Sequence, residues 1–268
     1  MTPESIVKAA DVLFRLRLDP TFRLDHLAPD CVPADEAEGY QINDALHRKL
    51  SAAGYGDPAG YKLGCTTPLM QERIGLDHPA AGVIVNTCIF NHEVTHDGRV
   101  VRSMGIENEI VVRLGKDMPA GMAPWDGQKV AAYVDSVIGS IELVEQRYAI
   151  QEETRNAHIP TVIGDDFWHY GTILGEPVAR WKDIDLLNSE AKTILDGKEI
   201  GSGFGKAALG DPLNAVAWCA NHLAERGREL KAGMIVQTGN LVPVIRPVIG
   251  QTVVCDHGAL GRATYRVI

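Results

Sequence analysis

From Tyr61 onward, short runs rich in Val, Ile, Thr and Leu alternate with Gly, Asn, Asp and Pro, and this punctuation limits the folds open to the chain. Runs predicted as strands are 61–64, 82–85, 100–102, 106–114, 136–144, 172–174, 191–195, 234–237, 252–255 and 263–267. Asp196-Gly197 between two of them is a hairpin signal. Only two helices are predicted among the strands: 127–134, capped by Asp126, and 213–225, ended near Gly227. Strands this numerous, with so few crossover helices, favour a mixed β arrangement over an alternating βαβ sheet.

The first sixty residues read as helical. Thr2-Pro3-Glu4 offers a hydroxyl cap, a first-position proline and an acid in the first turn, and Ile6, Ala9, Ala10, Leu13 and Phe14 follow at helical spacing. A second helix is predicted from about Ala34 to Ala53, because Pro33 disfavours helix at Val32 and Gly54 provides a stop. Its apolar stripe is Ala37, Tyr40, Ala45 and Leu46. The predicted organisation is α+β, with a helical cap over 1–58 and a β-rich core over 59–268.

Three carboxylates stand out within the strands. Glu107 and Glu109 lie two residues apart, so on a strand they project to one face. Glu142 sits among Ile141, Leu143 and Val144. An acidic pair on a strand is usually a solvated face, yet this face turns apolar at Val111. Like charges held together on core strands repel and resist desolvation, and a divalent cation relieves both costs. Oxygen ligands without nearby Cys or paired His point to Mg²⁺ or Mn²⁺ rather than zinc.

The chain has 268 residues, 45% hydrophobic and 23% charged, with a net charge of −9. With no Lys/Arg cluster to neutralise phosphates, nucleic acid is not an expected partner. An acidic protein handling an anionic substrate needs local positive charge, which a metal and one or two basic side chains supply. The five cysteines (Cys31, Cys65, Cys88, Cys219 and Cys255) lack CxxC spacing and read as reduced thiols. Neither a secretory leader nor a run of about 18 apolar residues is recognised, so a cytoplasmic protein without a membrane span is expected. No GxGxxG, P-loop or Gly-x-Ser-x-Gly supports a nucleotide site or a serine hydrolase. His92 and His96 are four apart, but Asn91, Val94, Thr95 and Asp97-Gly98 predict a loop or hairpin there, without a metal.

Four segments taken together resemble the fumarylacetoacetate hydrolase superfamily, in its 2-oxopent-4-enoate hydratase and 4-oxalocrotonate decarboxylase branch. They are Gly60-Tyr61-Lys62-Leu63-Gly64; Ile106-Glu107-Asn108-Glu109-Ile110; Ile141-Glu142-Leu143-Val144-Glu145-Gln146-Arg147-Tyr148; and Leu209-Gly210-Asp211-Pro212-Leu213 through Trp218 and Leu223 to Ala232-Gly233 and Thr238-Gly239. The resemblance implies a mixed β-roll core and a divalent metal, Mg²⁺ or Mn²⁺, on Glu107, Glu109 and Glu142. It implies a small 2-oxo or 2-hydroxydienoate acid as substrate, chelated through its carboxylate and 2-oxo oxygens. Lys62 then anchors the substrate carboxylate or moves protons, against the plain alternative of a snorkelling surface lysine. Gly60 and Gly64 would let backbone approach the ligand. Thr238-Gly239 falls in a loop that the family places near substrate. Arg147 is a candidate substrate ligand, with a structural salt bridge to Glu145 or Glu152 as the alternative.

Three departures mark a divergent member. Ala80 stands where hydratases of this branch carry an acid. The decarboxylase relatives tend to be apolar there. Gly164-Asp165-Asp166-Phe167-Trp168-His169-Tyr170-Gly171 replaces a family stretch of small residues with bulky ones, making Asp165 a candidate substrate ligand and His169 a candidate acid/base group, unless the run is core packing. Gly233-Met234 and Gly250-Gln251 replace family Gly-Asp pairs, a change expected to alter turns rather than chemistry.

The expected activity is a metal-dependent lyase, hydration first and decarboxylation of a 2-oxo dioate second. Acylpyruvate C–C hydrolysis would need a His/Glu pair on a lid, for which only His26 offers itself. A non-catalytic paralogue supporting an active partner is the contrasting class. The resemblance also implies a homo-oligomer and association with a pathway enzyme.

Overall fold

The computed structural model describes residues 1–100, 103–147 and 155–268. In chain order the elements are α1 (Pro3–Leu18), α2 (Glu36–Ala52), β1 (Pro58–Gly64), α3 (Pro68–Ile74), β2 (Ala80–Val85), β3 (Ile89–Asn91), β4 (Glu93–His96), β5 (Met104–Leu114) and α4 (Gly127–Val130). There follow β6 (Val134–Glu145), α5 (Arg155–Gly164), β7 (His169–Leu174), β8 (Glu190–Leu195), β9 (Lys198–Phe204), α6 (Pro212–Glu225), β10 (Ile235–Asn240), β11 (Thr252–Asp256) and β12 (Arg262–Val267). The fold is α+β with two mixed sheets. One has seven strands in the order β2-β1-β10-β5-β6-β7-β3, the other five in the order β4-β12-β11-β8-β9.

β5 and β6 form the longest ladder, at the centre of the larger sheet. Residue parity decides what each face does. Ile106, Ile141, Leu143 and Ile173 point to one side and pack with Val253, Cys255, Ala263 and Tyr265 of the smaller sheet. Further along the same side, Ile110, Val112 and Val236 pack under α6 through Val216, Cys219 and Leu223. The opposite face carries the carboxylates, and its apolar patch of Val111, Ile138, Ile84, Leu174 and Ile235 floors them at one end.

The local signals for the first helices hold. The Thr2 side chain accepts from the Ser5 amide at α1, and Asp35 accepts from the Glu38 amide at α2. α2 buries Tyr40, Ile42, Ala45, Leu46 and Leu50 but leaves Ala37 exposed, so its inner stripe is shifted from the predicted one. α1 and α2 pack with α5 through Leu13, Leu16, Leu46, Ile159, Val162 and Ile163. A Cβ on Gly39 would lie 2.4 Å from the Pro160 carbonyl oxygen, so only glycine allows that crossing of α2 and α5. The Tyr40 hydroxyl accepts from the Ala81 amide and ties the helices to β2.

The helix count after residue 60 needs correction: α3 and α5 join the two predicted. Pro160 inside α5 hid it from propensity. α3 buries no residue and so shows no periodic core face. The predicted strand 100–102 is not supported at Val100, which lies in a turn bonded to Asp97; its remainder lies outside the described residues. The 196–197 hairpin forms, with φ 48° at Asp196 and 82° at Gly197. All five cysteines are free. Among the described residues no helix is long and apolar enough to cross a membrane.

Candidate metal centre and active site

Register brings the acids together. Glu107 pairs directly with Glu142 across the β5–β6 ladder, and Glu109 projects from the same face. Carboxylate oxygens of the three lie within 4.8 Å of one another, and Glu109 and Glu142 are wholly buried. Three further strands extend the row. Gln237 on β10 pairs with Val111 and with Lys62 on β1, while Thr172 on β7 pairs with Glu142. A bulge between β6 and β7 brings His169 opposite Val144, hence to the same face. One sheet face therefore presents Lys62, Gln237, Glu109, Glu107, Glu142, Thr172 and His169.

Lys62 Nζ is 3.2 Å from Glu142 Oε1, and His169 Nδ1 is 2.9 Å from the same oxygen. Burial pulls the Lys62 ammonium down, but Glu142, Glu107 and Glu109 outweigh it and leave the group above its ordinary value. Burial likewise works against ionised Glu142, yet Lys62 and His169 hold it below the usual carboxylate range. The other two acids go the opposite way. Burial first and Glu142 second push Glu107 up to about 7, with Lys62 and Arg246 pulling back. Burial, Glu142 and Glu107 push Glu109 well up. Burial lowers His169 despite its bond to Glu142, which favours a neutral ring. An ionised carboxylate only accepts, so Nδ1 carries the proton and Nε2 keeps a lone pair.

Among the described residues, several buried polar atoms of this row have no hydrogen-bond partner: Glu109 Oε1, Glu142 Oε2, His169 Nε2 and Gln237 Nε2. Orphans of this kind are rare in folded proteins, and four on one sheet face mark a place for a ligand. The oxygen donors suit a hard divalent cation, and its charge would let the raised acids ionise. The acids that would hold it are positioned by backbone. The Gly239 amide donates to Glu109 Oε2 at 2.7 Å, and Thr238 Oγ1 donates to the Ile110 carbonyl at 2.9 Å. Gly239 has φ 114°, and a Cβ there would lie 2.0 Å from Thr66 Oγ1.

Asp165 and Arg147 are placed differently. Asp165 is fully buried, and its oxygens accept from Arg17 Nε and Arg147 Nη1, each at 3.0 Å. Arg147 also pairs with Glu145 at 3.2 Å and donates to the His169 carbonyl. Glu152, the other partner considered for Arg147, and Tyr148 lie outside the described residues. Asp166 accepts from Arg17, Asn43 and the Val83 amide and lies 2.8 Å from His47. Burial opposes its charge, but His47 and Arg17 hold it far below the usual range. This web links α1, α2 and β2 to a turn in which Asp166, Phe167 and Trp168 all have positive φ, at 52°, 51° and 61°. Three consecutive non-glycine residues in that region are costly, and the Asp166 contacts hold them there. The turn delivers His169 to the row and sets the Phe167 ring 5.4 Å from Lys62 Nζ.

Gly60 and Gly64 stand where packing leaves little room for a side chain. A Cβ on Gly60 would lie 2.2 Å from the Ile235 carbonyl oxygen, and one on Gly64 would lie 3.0 Å from the Phe167 ring. Ala80 is buried in the helical layer with Phe167, so no acid stands at that position. His26 is exposed, and no described contact joins it to the site. Gln237 and Thr172 were invisible in sequence, being single polar residues in strands without a motif. The Thr172 hydroxyl donates to Gln237 Oε1 at 2.7 Å.

Fold and site define a class: a two-sheet α+β protein with a buried carboxylate centre suited to a divalent cation. No family model matches the chain. The 2-keto-4-pentenoate hydratase 1 of Dechloromonas aromatica (strain RCB) is 31% identical over 220 residues, which is 79% of this chain and 78% of that protein. The 4-oxalocrotonate decarboxylase of Pseudomonas putida is 28% identical over 237 residues, 87% of this chain and 85% of that one. A solved structure of 4-oxalocrotonate decarboxylase from Pseudomonas putida G7, complexed with magnesium and adipate, superposes with a TM-score of 0.89 over 100% of this chain and 99% of that one, at 23% identity. The chain belongs to the 2-keto-4-pentenoate hydratase family and is similar to 4-oxalocrotonate decarboxylases, whose fold it shares.

Proposed function

We propose that this protein is a divalent-metal-dependent lyase acting on a small 2-oxo or 2-hydroxydienoate acid, with hydration across the conjugated alkene as its reaction. The observation that carries this reading is the convergence of Glu107, Glu109 and Glu142, with orphaned oxygens on two of them, beside Lys62 and His169. Glu107, Glu109 and Glu142 would hold Mg²⁺ or Mn²⁺. When bound, such an ion supplies Lewis-acid stabilisation of the negative charge that develops on the 2-oxo oxygen, worth several kcal/mol in reactions of this type.

The chain's own residues do the rest. Lys62 brings a buried ammonium to the acidic row and attracts the substrate carboxylate. His169, oriented by Glu142 through Nδ1, offers Nε2 to accept and return a proton. Gln237 Nε2 is a spare donor for a substrate oxygen. Thr238-Gly239 acts through the backbone that fixes Glu109, while Asp165 and Arg147 act by supporting His169, their polar groups being spent on each other and on their neighbours. The helices of residues 1–58 would close over a β-rich core of 59–268, in a cytoplasmic homo-oligomer.

Ala80 favours a second reading, decarboxylation of a 2-oxo dioate, because this position, buried with Phe167, itself carries no acid. Absorbance of 2-hydroxypenta-2,4-dienoate with Mg²⁺ separates the two. Loss of the dienol signal supports hydration; carbon dioxide release from a 2-oxo dioate, with the dienol untouched, supports decarboxylation. Inertness towards both would leave a metal-binding scaffold and remove the catalytic reading.

A further inference from the structure

We infer that Thr172 is a positioning residue and Gln237 a ligand-binding one: the Thr172 hydroxyl holds the Gln237 carbonyl oxygen, so the amide NH₂ stands as a second donor, beside Lys62, for the acid group of the substrate. This rests on the metal-centred reading of the site. Thr172 Oγ1 donates to Gln237 Oε1 at 2.7 Å, and both residues are wholly buried. They belong to β7 and β10, with β6 and β5 between them. On a flat sheet those strands would lie roughly 14 Å apart, too far for a threonine and a glutamine side chain to span. The sheet is therefore curled, with the acid-bearing face concave. The apolar patch agrees, since Ile84 of β2, Ile235 of β10 and Leu174 of β7 all join Val111 and Ile138 in one cluster.

The bond crosses the inside of that curl. Thr172 pairs with Glu142 of β6, and Gln237 pairs with Val111, two residues beyond Glu109 on β5. The pair accordingly runs from the level of the apolar patch to that of Glu142, over the strands that carry Glu109 and Glu142. Lys62 starts from the β1 position paired with Gln237 and reaches Glu142 Oε1 at 3.2 Å. An ammonium and an amide thus leave neighbouring positions and meet beside Glu142, one charged donor and one neutral, which suits the two oxygens of a carboxylate. Gln237 Nε2 has no partner among the described residues, whereas the Ser140 hydroxyl at the same level is spent on the Glu109 carbonyl at 2.9 Å. With Oε1 held by the hydroxyl, the amide cannot turn its oxygen towards an incoming anion without breaking that bond.

Calorimetric titration of the Mg²⁺-loaded protein with oxalate, after Mg²⁺ binding has been measured alone, tests this. Gln237→Leu should weaken oxalate binding about tenfold, the effect of one hydrogen bond to a charged group. Thr172→Val should do the same, because the released amide is free to flip, and Thr172→Ser should restore wild-type affinity. The T172V/Q237L double variant should be no weaker than Q237L, since both changes remove one arm. Mg²⁺ affinity without oxalate should be the same in all of them. Oxalate affinity unchanged in Q237L overturns the assignment and leaves Nε2 to a buried water. Losses that add in the double variant, or a T172S protein as weak as T172V, overturn the role of Thr172. Loss of Mg²⁺ binding in T172V or Q237L would make the pair structural and overturn the assignment too, whereas a wild type that binds no Mg²⁺ overturns the metal-centred reading itself.

Discussion

The Gly239 amide and the Glu109 carboxylate form a 2.7 Å hydrogen bond that joins the turn at the end of β10 to the acidic row on β5. It fixes one oxygen of Glu109 and leaves the other without a partner. Because Gly239 has φ 114° and Thr66 Oγ1 fills the space where a Cβ would go, glycine is required there by conformation and by room. Gly239→Ala is therefore expected to lower stability by about 1–3 kcal/mol in urea unfolding. Calorimetry should show weaker Mn²⁺ binding in the same variant, because Glu109 loses its positioning donor.

The metal-free protein should show an unusual pH dependence. Glu107 is raised to about 7 in the folded chain, with burial the main cause and Glu142 the next. A carboxyl raised on folding contributes stability that is fully present below its unfolded value and lost as pH rises through the folded one. Without metal, thermal stability should fall between about pH 4.5 and 7. Mg²⁺ should cancel that fall, stabilising more at pH 8 than at pH 5, and its binding near pH 7 should release protons, measurable by calorimetry in buffers of different ionisation enthalpy. Equal stabilisation at both pH values would contradict the charge balance described here.

Lys62 and His169 share one oxygen of Glu142 but have different duties. His169→Gln should lower kcat by roughly 10²–10⁴ with little change in Mn²⁺ affinity, the signature of a lost proton-transfer group. Lys62→Met removes the ammonium facing the trio, and should raise KM for the anionic substrate as well as lowering kcat.

Asp166 is predicted to be the most sensitive position of the supporting web. Asp166→Asn leaves Arg17 with Asp165 but removes its second carboxylate and the charged acceptor beside His47, and a loss of about 1–3 kcal/mol is expected in denaturant unfolding. The sign with pH is opposite to that of Glu107. Asp166 is depressed on folding, so its contribution is present above the unfolded carboxyl range and lost as pH falls below about 4. The variant's stability should be flatter than the wild type's in that acid range.

Much of this site was legible because it is local. Glu107 and Glu109 were placed on one face by strand parity alone, and the turn to apolar character at Val111 showed that the face was not simply solvated. Pairing Glu142 with Glu107 needed register, which no single segment contains. Lys62 was identified through its Gly-Tyr-Lys context rather than by any physical signal in the residues. Gln237 and Thr172 were missed for the same reason that register was: their relevance arises only when β10 and β7 flank the central ladder. Asp165 looked available as a ligand because its partners, Arg17 and Arg147, are distant in sequence. α5 escaped notice because Pro160 argues against helix, and only packing on α1 and α2 overrides that preference.

The most direct test of the central claim is where a divalent ion binds. Crystals grown with Mn²⁺ should show an anomalous peak ligated by Glu107, Glu109 and Glu142, and Glu109→Gln should abolish it with the fold intact. No peak at saturating Mn²⁺, matched by no heat of binding in solution, would contradict the account.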